Sequence, residues 1–205
     1  MSAAPRRSAD RAMLRSRPAK SGTVKQAAVL NADQISTMLD AAGPRDAALI
    51  ALMAAGACRV GEATLLTWAD VQDCAVSIVG GTTKSGYGRR FTLPASACRY
   101  LKAWREVCPT TRAGWVFPGR AGQCLSVRAA QVAITALAAE LGLKGVSSHS
   151  LRRSAITAAA DAGLSLKAVS ELSGHRSLSS LQRYIDGNTA REQAEAARGL
   201  LLPEE

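Results

Sequence analysis

Residues 47–58 read Ala-Ala-Leu-Ile-Ala-Leu-Met-Ala-Ala-Gly-Ala-Cys, an unbroken run of small and apolar side chains. A helix built from this run is apolar on nearly every side, so it is stable only as a central helix covered all round by other elements. It is too short to cross a bilayer, which takes about 20 such residues. The rest of the chain must therefore supply amphipathic partners that wrap one central helix.

Such partners lie on both sides of it. Asn31 can cap a helix with Gln34 three residues on, and Ile35, Met38, Leu39 and Ala42 fall on one face before Gly43-Pro44 stops it. The central helix then begins near Arg45. Farther along, Ala97, Tyr100, Leu101, Trp104 and Cys108 share one helical face, and Val127, Ala130, Ile134, Leu137, Ala138 and Leu141 share another before Gly142. Three shorter helices are expected over residues 151–162, 165–173 and 177 to about 184, the first two ended by Gly163 and Gly174. Aromatic residues make up only 4% of the chain, so helix packing should build most of the core, with Trp68, Trp104 and Trp115 as its few large pieces.

Only one stretch has a strand period. Residues 75–79 alternate, Gly80-Gly81 punctuates, and Arg89-Arg90-Phe91-Thr92-Leu93 runs up to Pro94, with Lys84 between the two strands. The expected fold class is mainly α with a small antiparallel β-sheet, an α+β domain over residues 26–188. Residues 1–25, rich in Ser, Ala, Arg and Lys, are expected to form a flexible basic arm. Residues 189–205 carry the composition of one more helix or tail, able to pack on a neighbouring protomer or fold back on its own domain.

Lys and Arg outnumber Asp and Glu by 26 to 16, for a formal charge of +10. A surplus of that size attracts polyanions, because each phosphate contact releases condensed counterions. Nucleic acid is the favoured partner, and a basic membrane-surface protein is the weaker alternative. Five cysteines form no C-x-x-C pair and have no histidine at metal-ligand spacing. Neither structural zinc nor a disulfide framework is expected, no secretory leader is apparent, and a reducing cytoplasm is the expected location.

The most specific text lies in the C-terminal third: His149-Ser150-Leu151-Arg152, then Leu172-Ser173-Gly174-His175, then Arg183-Tyr184-Ile185. Both of the chain's two histidines fall in this constellation. Upstream, in order, stand Arg59-Val60-Gly61-Glu62 and the hairpin residue Lys84. This arrangement resembles the tyrosine recombinase (phage integrase) signature of R-x-x-E, a β-hairpin lysine, H-x-x-R, G-H and Y, over about residues 28–186.

The resemblance implies a DNA breaking-rejoining catalytic fold and a site-specific recombinase that works through a 3′-phosphotyrosyl intermediate. It implies six catalytic residues: Arg59, Lys84, His149, Arg152, His175 and the nucleophile Tyr184. The chemistry accounts for the residue types. Attack on a phosphodiester builds charge on nonbridging oxygens, and an arginine fork holds two such oxygens while staying charged. The leaving 5′-hydroxyl needs a proton, which the resemblance assigns to Lys84; His149 would accept the tyrosine proton or orient the scissile group, and His175 would donate to a nonbridging oxygen. Glu62 would orient Arg59 or His149 rather than touch phosphate. Neither cofactor nor metal is implied, since side chains supply the cations.

Arg89, Arg90, Arg153 and Arg176 are the expected DNA-binding residues. The expected partners are double-stranded DNA, a homo-tetramer on two DNA sites and an accessory DNA-bending protein, with no membrane. A catalytically idle DNA-binding regulator of the same fold is the alternative. Two departures from the family pattern are Ala57, where a glycine is usual, and Ala63 after Glu62, where leucine is common; both are expected to cause local repacking only. The chain also begins almost directly with the catalytic domain, as a compact member without an obvious N-terminal core-binding domain.

Overall fold

The computed structural model describes residues 27–80, 88–175 and 181. The helices are α1 (Ala32–Ala41), α2 (Pro44–Gly56), α3 (Val60–Thr64), α4 (Ala95–Val107), α5 (Val127–Glu140), α6 (Ser148–Asp161) and α7 (Leu166–Ser173). The strands are β1 (Val71–Gln72), β2 (Ala75–Ile78) and β3 (Arg89–Thr92). This mainly helical fold with one small sheet matches the class expected from the sequence.

As its composition requires, α2 is the central helix. Seven consecutive residues from Ala47 to Met53 are buried, and α1, α3, α4, α5 and α6 all pack on it. Each buried Leu, Ile or Met side chain there stabilises the fold by about 1.5–3 kcal/mol relative to exposure. The covering helices bury one stripe each: Met38 from α1, Leu101 and Trp104 from α4, Ile134 and Ala138 from α5. The expected cap of α1 is formed, with Asn31 Oδ1 accepting from Gln34 N–H at 2.9 Å and Gln34 Oε1 accepting from Asn31 N–H at 3.1 Å.

The large core pieces differ from expectation. Trp104 is buried and its indole N–H donates to the Val116 carbonyl at 2.7 Å, but Trp68 and Trp115 are only half-buried. Trp68 instead stacks under Arg105, 4.9 Å from the ring centroid to the guanidinium carbon. Phe117 and Met38 are among the largest side chains wholly removed from solvent.

The sheet has the order β1-β2-β3 and is antiparallel throughout. Val76 and Ile78 are buried, and their cross-strand partners are Phe91 and Arg89. Directly paired residues share a face, so this register turns Arg89 and Phe91 inward and Arg90 and Thr92 outward. Phe91 lies against the end of α2, where a Cβ on Gly56 would come within 2.5 Å of its ring. Only glycine allows that approach.

A disulfide joins Cys74, in the β1–β2 turn, to Cys98, in the first turn of α4, with Cα atoms 5.5 Å apart. No disulfide was expected from the cysteine pattern. The two cysteines are 24 residues apart, and the contact depends on how the sheet docks on α4, which spacing does not reveal. No helix among the described residues is long and apolar enough to cross a membrane.

Candidate active site

The R-x-x-E segment folds as the first turn of the short helix α3. Arg59 is its N-cap, and the Glu62 carboxylate reaches back to accept the Arg59 backbone N–H at 3.0 Å. The same carboxylate accepts Arg59 Nη1 at 2.7 Å and Arg89 Nη2 at 3.1 Å. Glu62 is 3% exposed. Burial pushes its carboxyl upward, but the Arg59 N–H, the charge of Arg89 and the hydrogen bond and charge of the Arg59 side chain outweigh it and hold the group below its ordinary value. Glu62 is thus a buried anion shared by two arginines.

Arg89 was expected at the DNA backbone. It is instead turned in by the sheet register, its side chain 11% exposed, with Nη2 also donating to the Gly56 carbonyl at 3.3 Å. Its guanidinium passes directly over Gly174, where a Cβ would lie 2.8 Å from Nη1. Arg90, one residue on, is exposed on the outer face. Arg153 is half-buried and gives Nη1 to the Ala27 carbonyl at 2.6 Å, tying α6 to the start of the described chain.

His149 and Arg152 sit one turn apart on α6. That helix starts at Ser148, three residues before the position expected, because Ser150 Oγ accepts the Ser147 N–H at 3.0 Å and caps the turn. His149 is exposed, and Arg152 is 6% exposed. Arg152 Nη1 donates to the Ala57 carbonyl at 2.5 Å and Nη2 approaches His175 Nε2 at 3.3 Å. Burial, helped by the nearby charges of Arg59 and Arg89 and opposed by Glu62, pushes Arg152 down to about 10, so it remains charged at neutral pH.

Ala57 has more consequence than local repacking. It lies in the left-handed region at φ 47° and ψ 34°, a conformation that disfavours any side chain, and this backbone turn aims its carbonyl at Arg152. Its methyl group joins a second buried cluster with Ile156, Val169 and Leu181. That cluster packs α6, α7 and residue 181 against Ala57.

Arg59, Glu62, His149, Arg152, Gln131 of α5 and Cys58 line one cleft of about 320 Å³. His175 contacts it through Arg152. Cys58, wholly buried, was not singled out by sequence; burial pushes its thiol up to about 12, so it stays neutral among the cations around it, with its S–H directed at the Gly56 carbonyl at 3.5 Å. A second depression, lined by Arg128, Gln131, Val132, Thr135 and His149, continues from the cleft along the outer face of α5. These α5 residues were also missed, although their i, i+3, i+4, i+7 spacing on the polar side of the helix is the signal that could have found them. Lys84, Tyr184 and Arg176 lie outside the described residues.

The structure thus brings five of the eight expected catalytic and DNA-facing positions it describes, Arg59, Glu62, Arg89, Arg152 and His175, into one connected set, with His149 at the rim. The family model described as the phage integrase family matches residues 28–191. The chain belongs to this family. Tyrosine recombinase XerC of Xanthomonas campestris pv. campestris strain B100 is 33% identical over 162 residues, covering 76% of this chain and 50% of that protein. XerC of Xylella fastidiosa strain 9a5c is 35% identical over 146 residues, covering 69% of this chain and 48% of that protein. The chain therefore spans about half the length of these XerC relatives. Among solved structures, the XerA recombinase superposes with a TM-score of 0.72 at 20% identity, covering 83% of this chain and 65% of that one. The Tn1549 transposon integrase in complex with a circular intermediate DNA superposes with a TM-score of 0.74 at 15% identity, covering 86% and 68%. These likenesses place the phage integrase catalytic fold on this chain.

Proposed function

We propose that this phage integrase family member is a site-specific DNA recombinase that cleaves and rejoins strands through Tyr184. The observation that carries this is the charge balance of the site: three guanidiniums, Arg59, Arg89 and Arg152, gather near a single carboxylate, Glu62, which Arg59 and Arg89 share and Arg152 does not touch. A buried surplus of fixed cations is costly in the free protein and is relieved by an anion. A phosphodiester whose charge grows as it reacts fits it best.

In the reaction, the Tyr184 oxygen forms a bond to phosphorus as the bond from phosphorus to the 5′-oxygen breaks. The tyrosine proton passes to His149, and Lys84 protonates the leaving 5′-oxygen. Arg59 and Arg152 hold the nonbridging oxygens, and Glu62, itself held by Arg89, orients Arg59. Because the phosphotyrosyl ester keeps the phosphodiester energy, attack by another strand's 5′-hydroxyl reverses every step without ATP. Leu181, three residues before Tyr184, is buried against Ala57, and three residues of chain span at most about 11 Å. This supports delivery of the nucleophile to the Arg152 side of the cleft.

The duplex would lie along the face beside α5, where Gln131 borders the cleft and Arg128 the depression that continues from it, with Arg90 on the outer sheet face. Exchange between two DNA sites takes four protomers, with action in the cytoplasm; integration, excision, inversion and resolution all use this chemistry. The test is to incubate the protein with sheared DNA of its own replicon, stop with detergent, and sequence the ends of protein-linked fragments, with Tyr184→Phe in parallel. Discrete covalent ends with wild type alone support the recombinase. Tight DNA binding with no adduct from either protein overturns it in favour of a DNA-binding regulator.

A further inference from the structure

Three residues, Ala57 to Arg59, connect the end of α2 to the first turn of α3, and both phosphate-holding arginines depend on them. Arg59 projects from the connection, and the Ala57 carbonyl within it accepts Arg152 Nη1. The connection is not relaxed: Ala57 sits at φ 47°, a conformation that persists in a non-glycine residue only where its surroundings enforce it. Arg89 of β3 is placed to enforce it. Its Nη2 donates to the Gly56 carbonyl at 3.3 Å and to Glu62 Oε2 at 3.1 Å, so the two hydrogens of one nitrogen reach residues on either side of the connection. The rest of the side chain is fixed as tightly. Its guanidinium carbon lies 5.8 Å from the centroid of the Phe91 ring, which itself packs on Gly56, and Nη1 passes over Gly174. Nε is buried and has no hydrogen-bond partner among the described residues. An unmatched buried donor costs stability, so a guanidinium here is a poor choice for stability alone. What it provides is a pair of donors aimed from the sheet across the α2–α3 connection.

We propose that Arg89 is a positioning residue, a buried clamp that closes the α2–α3 connection and thereby sets the spacing of Arg59 and Arg152 at the scissile phosphate. This role rests on the strand-cleavage reading above and extends it to a side chain that touches neither the duplex nor the reacting atoms. Arg59 is reached through Glu62, whose Oε1 accepts its Nη1 and whose Oε2 accepts its backbone N–H. Arg152 is reached through the Ala57 carbonyl, which the clamped turn aims at it. Releasing the clamp shifts both arginines together, and a misplacement of about 1 Å can cost up to about 10²-fold in rate.

The test measures single-turnover adduct formation per folded molecule, beside DNA affinity over a range of salt, with the full chain and a duplex carrying the cleavage site recovered from the adduct sequencing above. Arg89→Met is expected to slow adduct formation about tenfold while DNA affinity and its salt dependence stay as in wild type, because the side chain reaches no phosphate. Arg89→Lys, which keeps a cation on Glu62, should recover the rate to within about threefold of wild type. The tenfold effect should shrink below about threefold when Arg59→Ala or Arg152→Met is already present, since each removes one of the two groups the clamp positions. The assignment is overturned if Arg89→Met cleaves at the wild-type rate, or slows cleavage by the same factor in all three backgrounds. It is equally overturned if Arg89→Met weakens DNA binding and flattens its salt dependence, as loss of a phosphate contact does. Should Arg89→Met fail to fold, Arg89→Lys carries the same comparison, its roughly threefold slowing expected to vanish in the Arg59→Ala background. Wild type that forms no adduct is a different result: it overturns the strand-cleavage reading, and the clamp's role falls with it.

Discussion

On the α3 side of the cleft, Arg59 and Arg89 share one buried carboxylate, whereas on the α6 side the hydrogen-bond partners of buried Arg152 among the described residues are a peptide carbonyl and an imidazole. The first arrangement is compensated and holds its members in place. The second leaves a cation whose hydrogen bonds are neutral, so its charge stays available to a ligand. Charge on the α3 side should therefore contribute to stability, and charge on the α6 side to phosphate binding and catalysis.

Replacing Arg152 by Met breaks the comparison most sharply. Removing one fixed transition-state donor costs about 10²–10³ in rate, while exchanging an uncompensated buried cation for an apolar side chain is neutral or stabilising. The expected outcome is cleavage slowed by that factor with a thermal midpoint at or above wild type. A large loss of stability would show that Arg152 is structural after all.

Glu62→Gln should do the reverse. It leaves two guanidiniums facing each other in a buried site, and about 3 kcal/mol of stability is expected to go, measured by denaturant titration. The pH dependence gives a second check. Because the folded-state carboxyl lies below its ordinary value, its stabilisation is complete above the ordinary carboxylate range and drains away as pH falls through the lowered value. Wild type should lose stability in that acid window, and the Gln variant should have a flatter profile there.

The disulfide sharpens the picture on the sheet side, away from both arginines. A native, unreduced sample should show three thiols on denaturation, Cys58, Cys108 and Cys124, and only the latter two should react quickly while folded. Reduction of Cys74–Cys98 should lower stability by about 3 kcal/mol in the chain-entropy account, without altering DNA cleavage per folded molecule. Five reactive thiols before reduction would remove the bond. The smallest effect is expected from Ala57→Gly, where relief of the left-handed backbone under Arg152 is offset by loss of a buried methyl group and by the freer unfolded chain, so stability should move by less than about 1 kcal/mol.

The elements that were legible in sequence share one property: a long window of consistent period. The apolar run of α2, the stripes of α4 and α5 and the Asn31–Gln34 cap each state their geometry locally. The motif order placed Arg59, Glu62, His149, Arg152 and His175 near one another because the chemistry the family performs requires those groups together. What was not legible depends on long-range geometry. Arg89 faces inward because Ile78 pairs with it, and a register shift of one residue would have exposed it. Ala57 takes a glycine conformation that its side chain hides, and helix α3, five residues long, is too short to show a period. Cys74 meets Cys98 only through sheet docking.

The central claim, that strands are cut through Tyr184, is tested most directly by trimming the covalent protein–DNA adduct with nuclease and identifying the modified peptide by mass spectrometry. The chain has three tyrosines, Tyr87, Tyr100 and Tyr184, so the assignment is unambiguous. The expected result is a nucleotide remnant linked through its 3′-phosphate to the Tyr184 peptide. A remnant on Tyr87, on Tyr100 or on a serine, or one linked through a 5′-phosphate, would contradict the account.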